Sequence, residues 1–282
     1  MTREEFDSLV ESITSPGARE AQAATVEEVE HTDAPVDAEN PINDMEVQVP
    51  DEINPLLGTS RFSGATWADR LKRLDLTFLG VGGIGSWAAF IASRFRPSSM
   101  TLFDMDEVDP ANMSGQLYGV NDANKKKAHC LSIFINNYSG VYPTGATQMV
   151  TEDTFSEWGM PIVICGFDNM VARKAAFKGW RSKYEGNESA LFIDARMSID
   201  TCQIYSFTGD DKHAINKYAS EALFSDEEAD ATICSMKQTS YVAAIMGGLI
   251  SNLLVQFVES KIGIPMNYFT EYNAATMTLK TM

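Results

Sequence analysis

Apolar positions along the chain fall into short runs that alternate with segments of helical spacing. Short apolar runs predict strands, and apolar positions recurring every three or four residues predict helices. The predicted elements are strand 75–80, helix 84–95, strand 100–104, helix 122–138, strand 146–150, strand 161–165, helix 168–183, strand 190–195 and strand 201–207. Such alternation is typical of a parallel sheet that helices cover on both faces.

The order of elements changes after Phe207. The remaining predicted elements are a short helix near 212–223, an acidic stretch at 225–230, a long helix at 238–261 and two strands around 266–270 and 275–280. These last strands are expected to extend the sheet in the antiparallel sense. The pattern therefore predicts an α/β fold, a Rossmann-like, doubly wound, mostly parallel sheet with antiparallel C-terminal strands.

The helix at 238–261 contains a stretch without charge, from Gln238 to Val258. Its 21 residues would just span a bilayer. However, polar residues such as Ser251 and Asn252 would need partners in hydrocarbon, and no basic flank marks an inside face. The pattern favours a helix buried in the core or at a dimer interface, with no membrane partner.

Acidic charge is concentrated at the N-terminus. Residues 1–52 hold 15 Asp or Glu against Arg3 and Arg19, a net charge of −13, which leaves −4 of the total −17 for the other 230 residues. With few aromatic residues and no sustained apolar period, this segment is predicted to be an acidic disordered tail ahead of a domain at 53–282. It is either a solvated tail or a partner-binding arm, and its acidity argues against binding nucleic acid.

The cysteines and histidines show no metal-ligand spacing. No Cys-x-x-Cys pair occurs among the four cysteines, which are Cys130, Cys165, Cys202 and Cys234. Neither a zinc site nor a disulfide framework is expected, which fits a reducing, cytoplasmic location. The N-terminal sequence also lacks the basic and apolar regions of a signal peptide.

A glycine-rich turn follows the first predicted strand. Its glycines are Gly80, Gly82, Gly83 and Gly85. Without a Cβ, backbone N–H groups can approach a phosphate, and the N-terminus of the next helix adds positive partial charge. Asp104 lies 21 residues past Gly83, at the end of the next strand, where it can accept hydrogen bonds from a ribose. This predicts a nucleotide site, although tight turns also need glycine for steric reasons alone.

Further polar motifs follow the turn in a fixed order. The full set is Gly80-x-Gly82-Gly83-x-Gly85, Asp104-x-Asp106-x-Val108, Asn112-x-x-x-Gln116, Lys127-Ala128 and Asp168-Asn169-x-x-x-Arg173. Over about residues 61 to 261, this ordered set resembles the ThiF/MoeB/ubiquitin-activating E1 superfamily, whose members adenylate a carboxylate with ATP.

The resemblance implies a set of nucleotide contacts. Those contacts are backbone groups at Gly80, Gly82, Gly83 and Gly85, a ribose acceptor at Asp104, phosphate-side polar groups at Asn112 and Gln116, and a magnesium ligand at Asp168 beside Asn169. Magnesium prefers carboxylate oxygen together with nucleotide phosphates, and a lysine amine can neutralise charge as pyrophosphate leaves. The expected cofactors are ATP and Mg²⁺.

Two of these assignments have alternatives. Asp168 could instead be the N-cap of helix 168–183, and both roles could coexist. Lys125, Lys126 and Lys127 are adjacent, so any of them could face the triphosphate. Lys127, followed by alanine, fits the family pattern best, and the other two are interpreted as a solvated helix start.

Cys234 lies ahead of the uncharged helix, where many family members keep a cysteine that accepts the activated acyl group. A thiolate near a helix N-terminus has a lowered pKa and attacks an acyl adenylate readily. The alternative is a small buried apolar residue. Cys130 and Cys165 are expected to lie in the core.

Two departures from the family pattern concern arginines. Gly115 and Gly64 stand where the family has arginines, the first of which contacts phosphate. Loss of a guanidinium weakens a phosphoryl site, because glycine does not replace its planar bidentate contacts. Arg61, Arg173 and Arg196 are candidates to supply the missing charge.

Three functions are compatible with these features. The preferred one is an E1-like activating enzyme, an adenylyltransferase acting on the C-terminal carboxylate of a ubiquitin-like or sulfur-carrier protein, and working as a homodimer. The second is a catalytically degenerate nucleotide-binding adaptor, which Gly115 and Gly64 favour. The third is an NAD- or FAD-dependent oxidoreductase, against which stands the lack of a Tyr-x-x-x-Lys proton relay.

Overall fold

The computed structural model describes residues 64–224, 239–263 and 265–282. Within them, a single sheet has the strand order β3-β2-β1-β4-β5-β6-β7-β8. Its strands are β1 (Asp75–Leu79), β2 (Ser99–Phe103), β3 (Thr144–Ala146), β4 (Ile162–Cys165), β5 (Leu191–Met197), β6 (Thr201–Thr208), β7 (Phe269–Asn273) and β8 (Thr278–Thr281). The helices are α1 (Ala68–Leu71), α2 (Gly83–Ser93), α3 (Lys127–Ser139), α4 (Thr154–Trp158), α5 (Met170–Tyr184), α6 (Lys212–Glu221) and α7 (Ser240–Ser260).

The predicted fold class is confirmed. Strands β1 to β5 run parallel to their neighbours, and β6, β7 and β8 continue the sheet antiparallel. Helices α2, α3 and α7 bury one face of the sheet, and α4, α5 and α6 bury the other. Neighbouring residues of the central strands enter opposite cores, as Ile164 and Cys165 do. Burial on both faces explains why these strands are continuous apolar runs.

Some boundaries differ from the predicted ones for local reasons. Strand β3 ends at Ala146, whose carbonyl accepts the Asp104 N–H at 3.0 Å, so the predicted strand at 146–150 is mostly a loop. Helix α3 begins five residues later than predicted. Asn124 has a left-handed φ of 61°, which interrupts any helix there, and the Lys127 N–H donates to the Asp106 carbonyl at 3.0 Å. Helix α4 was not predicted.

Helix α7 contains residues 240–258 of the uncharged stretch. It is long and apolar enough to cross a membrane, but 56% of its most apolar window is buried inside the protein. Its buried residues include Val242, Met246 and Leu254, and they belong to the core that α2 and the sheet complete. Burial within the fold therefore accounts for the apolar character of this helix.

Alanine substitutions at two adjacent glycines of α7 should change the free energy of unfolding in opposite directions. A Cβ at Gly247 would lie 3.0 Å from the Trp87 carbonyl carbon and 3.1 Å from the Ala88 nitrogen of α2, whereas a Cβ at Gly248 would meet nothing within 4 Å. We expect Gly247→Ala to lower the free energy of unfolding by about 1–3 kcal/mol through overpacking. Gly248→Ala should raise it by about 0.5–1 kcal/mol through helix propensity. Urea denaturation measures both, and equal effects would contradict this helix packing.

Several sequence predictions lie outside the described residues. These are the acidic tail at 1–52, the candidate nucleophile Cys234 and the candidate cation Arg61. The domain boundary at residue 53 likewise stays a prediction.

Candidate functional site

The candidate site is a cavity of about 510 Å³ at the carboxyl ends of the parallel strands. Strands β1 and β4 are neighbours, but the chain leaves β1 toward α2 on one face and leaves β4 toward α5 on the other. The two connections therefore diverge and open a crevice between them. Open α/β sheets bind ligands at such a topological switch point.

The glycine-rich turn forms one wall of the cavity. Gly80 has a φ of 83°, and a Cβ there would lie 3.0 Å from the Phe167 ring, so this position requires glycine. Gly80, Gly82 and Gly83 line the cavity, and α2 begins at Gly83. Gly85 does not line it. Its own Cβ would stand 1.9 Å from the Gly80 carbonyl oxygen, so its role is the steric one of closing the turn.

Asp104 lines the cavity and also holds the turn. Its carboxylate accepts the Val81 N–H at 2.8 Å and the Asp106 N–H at 2.9 Å. Burial raises the pKa of Asp104 above its ordinary value, while these two N–H donors and the positive charge of Lys127 act in the opposite direction. The structure thus ties the predicted ribose acceptor to the backbone of the glycine turn.

Among the three adjacent lysines, Lys127 is the one at the cavity. It is buried, lines the cavity and places its Nζ 3.3 Å from the Asp106 carboxylate. Lys126 instead pairs with Glu107 at 3.2 Å, and Lys125 is exposed. The geometry selects the lysine that the family pattern favoured.

Gln116 reaches the cavity but Asn112 does not. Gln116 lines it near Gly82, and its Oε1 is buried without a hydrogen-bond partner within the described part of the chain. An unpaired buried polar atom beside the glycine turn is suited to a polar ligand. Asn112 is exposed in a 3₁₀ turn (Pro110–Asn112) away from the lining residues. The structure therefore does not bring the predicted Asn112 contact to the cavity.

Asp168 and Asn169 both line the cavity at the start of α5. The N-cap is Asn169, whose Oδ1 accepts the Ala172 N–H at 2.8 Å, so the alternative interpretation of Asp168 as the cap is wrong. Asn169 also donates to the Asp168 Oδ1 at 3.2 Å. With the cap supplied by its neighbour, the exposed Asp168 carboxylate is available at the cavity rim.

The described arginines that were candidates to replace the missing family arginines do not reach the cavity. Arg173 and Arg196 both form ion pairs with the fully buried Asp194, and neither lines the cavity. Among the described lining residues, Lys127 is the one cationic side chain. Gly115 is buried, and its carbonyl accepts the Trp87 Nε1–H at 3.1 Å.

One wall of the cavity was not predicted from the sequence. The loop after β3 contributes Gln148, Met149, Val150, Thr151 and Glu152, and the first turns of α5 add apolar side chains. This loop follows the carboxyl end of a parallel strand, where ligand-binding loops of α/β sheets occur, and that position could have indicated its role. It was not recognised because residues 146–150 were predicted to be a strand.

The described cysteines are buried and not reactive. Burial raises the pKa of both Cys165 and Cys202 to about 12, which keeps these thiols protonated near neutral pH. Cys130 is also buried. Within the ranges described, no group of three or more His, Cys, Asp or Glu residues could hold a metal ion.

The residues present fit a nucleoside triphosphate with its metal. The cavity lies in the range of about 300–1,000 Å³ usual for small-molecule sites. Glycine backbone and the start of α2 suit phosphates, Lys127 supplies positive charge, and Gln116 offers an unpaired polar atom. Magnesium is commonly held by one or two carboxylates plus phosphates, and Asp168 is an exposed carboxylate at the rim.

Comparisons with known proteins show which family the chain belongs to. The model of the ThiF family matches residues 54–282. The tRNA threonylcarbamoyladenosine dehydratase of Escherichia coli (strain K12) is 26% identical over 216 residues, which are 65% of this chain and 79% of that protein. The crystal structure of PaaA has a TM-score of 0.58 and 16% identity, covering 77% of this chain and 74% of PaaA.

E. coli MccB, solved with ATP, has a TM-score of 0.58 and 15% identity. The match covers 77% of this chain and 65% of MccB, so these two structural likenesses concern the fold. The family match is broader, because it spans the whole sheet and every described residue of the cavity. On that match, the chain belongs to the ThiF family of E1-like adenylating enzymes.

Proposed function

We propose that this protein binds Mg²⁺-ATP in the cavity and adenylates the C-terminal carboxylate of a ubiquitin-like or sulfur-carrier protein. One observation carries the proposal: the glycine turn, Lys127 and Asp168 meet at a single cavity, although they lie far apart in the sequence. Family membership favours this function over the oxidoreductase alternative.

The residues of the site suggest how the reaction proceeds. A substrate carboxylate oxygen attacks the α-phosphorus of ATP, the bond from that phosphorus to the bridging oxygen breaks, and pyrophosphate leaves with the bonding electrons. Backbone groups at Gly82 and Gly83 and the amine of Lys127 are placed to stabilise the charge on the phosphate oxygens. Asp168 would hold magnesium, which neutralises phosphate charge when bound.

The acyl acceptor and the assembly belong to the same proposal. The Cys234 thiolate would then attack the carbonyl carbon of the acyl adenylate, forming a thioester while AMP leaves with the bonding electrons, as the resemblance to the superfamily implies. E. coli MccB has been solved together with MccA, which supports a peptide or protein substrate for related folds. We propose a cytoplasmic homodimer as the working form.

A second substrate class has a specific observation behind it. The 26% identical relative is named for tRNA threonylcarbamoyladenosine, which makes a tRNA substrate a candidate for this chain as well. The net charge of −17 argues against it, because nucleic acid binding normally requires basic surface.

ATP–pyrophosphate exchange tests the proposed function. The purified protein is mixed with ATP, labelled pyrophosphate and either carrier proteins or tRNA, with and without magnesium. We expect exchange that requires both magnesium and a carrier protein. Exchange that requires tRNA and no carrier protein would show that the substrate is tRNA and not a carrier protein. Nucleotide binding by calorimetry without exchange under any condition would instead show a degenerate adaptor.

A further inference from the structure

A buried ion cluster lies behind the nucleotide cavity. It consists of Arg173 on α5 and of Asp194 and Arg196 on β5. The Asp194 side chain is fully buried, and those of Arg173 and Arg196 are 6% and 14% exposed. Asp194 pairs with Cys165 in the register of β4 and β5, so the cluster lies beside the last residue of the strand that leads into the cavity.

Arg173 connects this cluster to the wall of the cavity. One end of its guanidinium pairs with the Asp194 Oδ1, and the other donates to the carbonyls of Phe167 and, at 3.0 Å, Ala195. Phe167 belongs to residues 166–169, here called the nucleotide loop, all of which line the cavity. A planar guanidinium that spans three acceptors fixes their relative positions.

Arg196 connects the same carboxylate to the C-terminal end of α6. It contacts the Asp194 Oδ2 through Nε at 2.8 Å and through Nη2 at 2.7 Å, and it donates to the Ala222 carbonyl at 2.8 Å. Its guanidinium also lies 5.4 Å from the centre of the Phe224 ring. A continuous series of hydrogen bonds thus runs from the Phe167 carbonyl through Asp194 to Ala222.

We propose that the ion cluster positions the nucleotide loop and couples its order to the C-terminal end of α6. Stability alone does not account for these charges, because well-packed apolar residues stabilise a core as well as buried ion pairs or better. The cluster instead directs a guanidinium at the carbonyl immediately before Asp168, whose carboxylate faces the cavity. Arg173, Asp194 and Arg196 are positioning residues, and their effect on nucleotide binding rests on the proposed function.

Hydrogen exchange of the free protein tests the positioning without any nucleotide. Arg173→Lys keeps the positive charge but loses the planar guanidinium that donates to several acceptors at once. The backbone amides of residues 166–169 should therefore exchange about tenfold faster, which is the effect expected from losing one charge-assisted hydrogen bond. Arg196→Lys should accelerate exchange at residues 222–224 and also at 166–169. Lys174→Arg, at the exposed position next to Arg173 on the same helix, is the matched control and should change neither segment. Unchanged exchange at 166–169 in both cluster variants would overturn the proposal.

Calorimetry then measures the consequence for ligand binding. Arg173→Lys should weaken binding of magnesium-ATP about tenfold, as loss of an outer positioning contact at a metal site does, while binding of ATP with a chelator changes less than about twofold. An equal loss in both, or a loss only of thermal stability, would show a purely structural cluster. If the unaltered protein binds no nucleotide while exchange responds as expected, the proposed function fails and the positioning role stands.

Discussion

Replacing Lys127 with methionine should lower the rate of adenylation about 100- to 1,000-fold, the usual cost of removing one group that stabilises transition-state charge. Lys127 is the cationic side chain among the described lining residues, and the positions of two family arginines hold Gly115 and Gly64. The site therefore has little other positive charge to compensate. Initial rates of ATP–pyrophosphate exchange at a saturating concentration of the carboxylate substrate measure the effect.

Lys126→Met is the matched control for this experiment. Its amine pairs with Glu107 at 3.2 Å and donates to the Met105 carbonyl at 3.0 Å, and its side chain is 42% exposed. Its loss should alter the rate less than about twofold, because interactions between exposed groups contribute little. Comparable losses in the two variants, or a Lys127→Met protein with undiminished exchange, would refute the assignment of Lys127.

Replacing Asp168 with asparagine should reduce adenylation about 100-fold and raise the magnesium concentration needed for half-maximal rate about 10- to 100-fold. The change keeps the shape of the side chain but removes the charge that suits a hard cation. Because Asn169 supplies the cap of α5, the fold should be unaffected and thermal unfolding should match that of the unaltered protein.

Asp153→Asn provides the control for charge alone. Asp153 precedes α4, is exposed and makes no capping hydrogen bond with its side chain. It should leave both the rate and the magnesium dependence unchanged. If Asp168→Asn lowered the rate without shifting the magnesium dependence, the carboxylate would act on the substrate and not on the metal.

The site was predictable where its chemistry is local in sequence. The glycine turn could be recognised because four glycines in six residues after an apolar run satisfy a backbone requirement that glycine meets best. Asp104 followed from the spacing of one strand–helix–strand unit. The loop at 148–152 was missed because its composition resembles a strand, and only the end of pairing at Ala146 shows where the strand stops.

The choice among similar residues was not predictable in the same way. The family pattern favours Lys127 among three adjacent lysines, but its position at the cavity follows only from the left-handed conformation of Asn124 and the pairing of the chain with residues 106–108. The sequence alone leaves Arg173 as a candidate phosphate ligand, whereas in the structure its guanidinium pairs with Asp194. Asn169 displaces Asp168 as the helix cap through one hydrogen bond to Ala172.

Apart from α4, the sequence by itself determined the order of strands and helices, the doubly wound class and the position of the glycine turn, because hydrophobic period and backbone conformational preference act between near neighbours in the chain. Only the tertiary structure decided which charged groups face the cavity and which neutralise one another in the core. The physical reason is that Coulomb and hydrogen-bond interactions depend on distances of a few ångströms between residues far apart in sequence, and the packing of β1, β4 and β5 sets those distances.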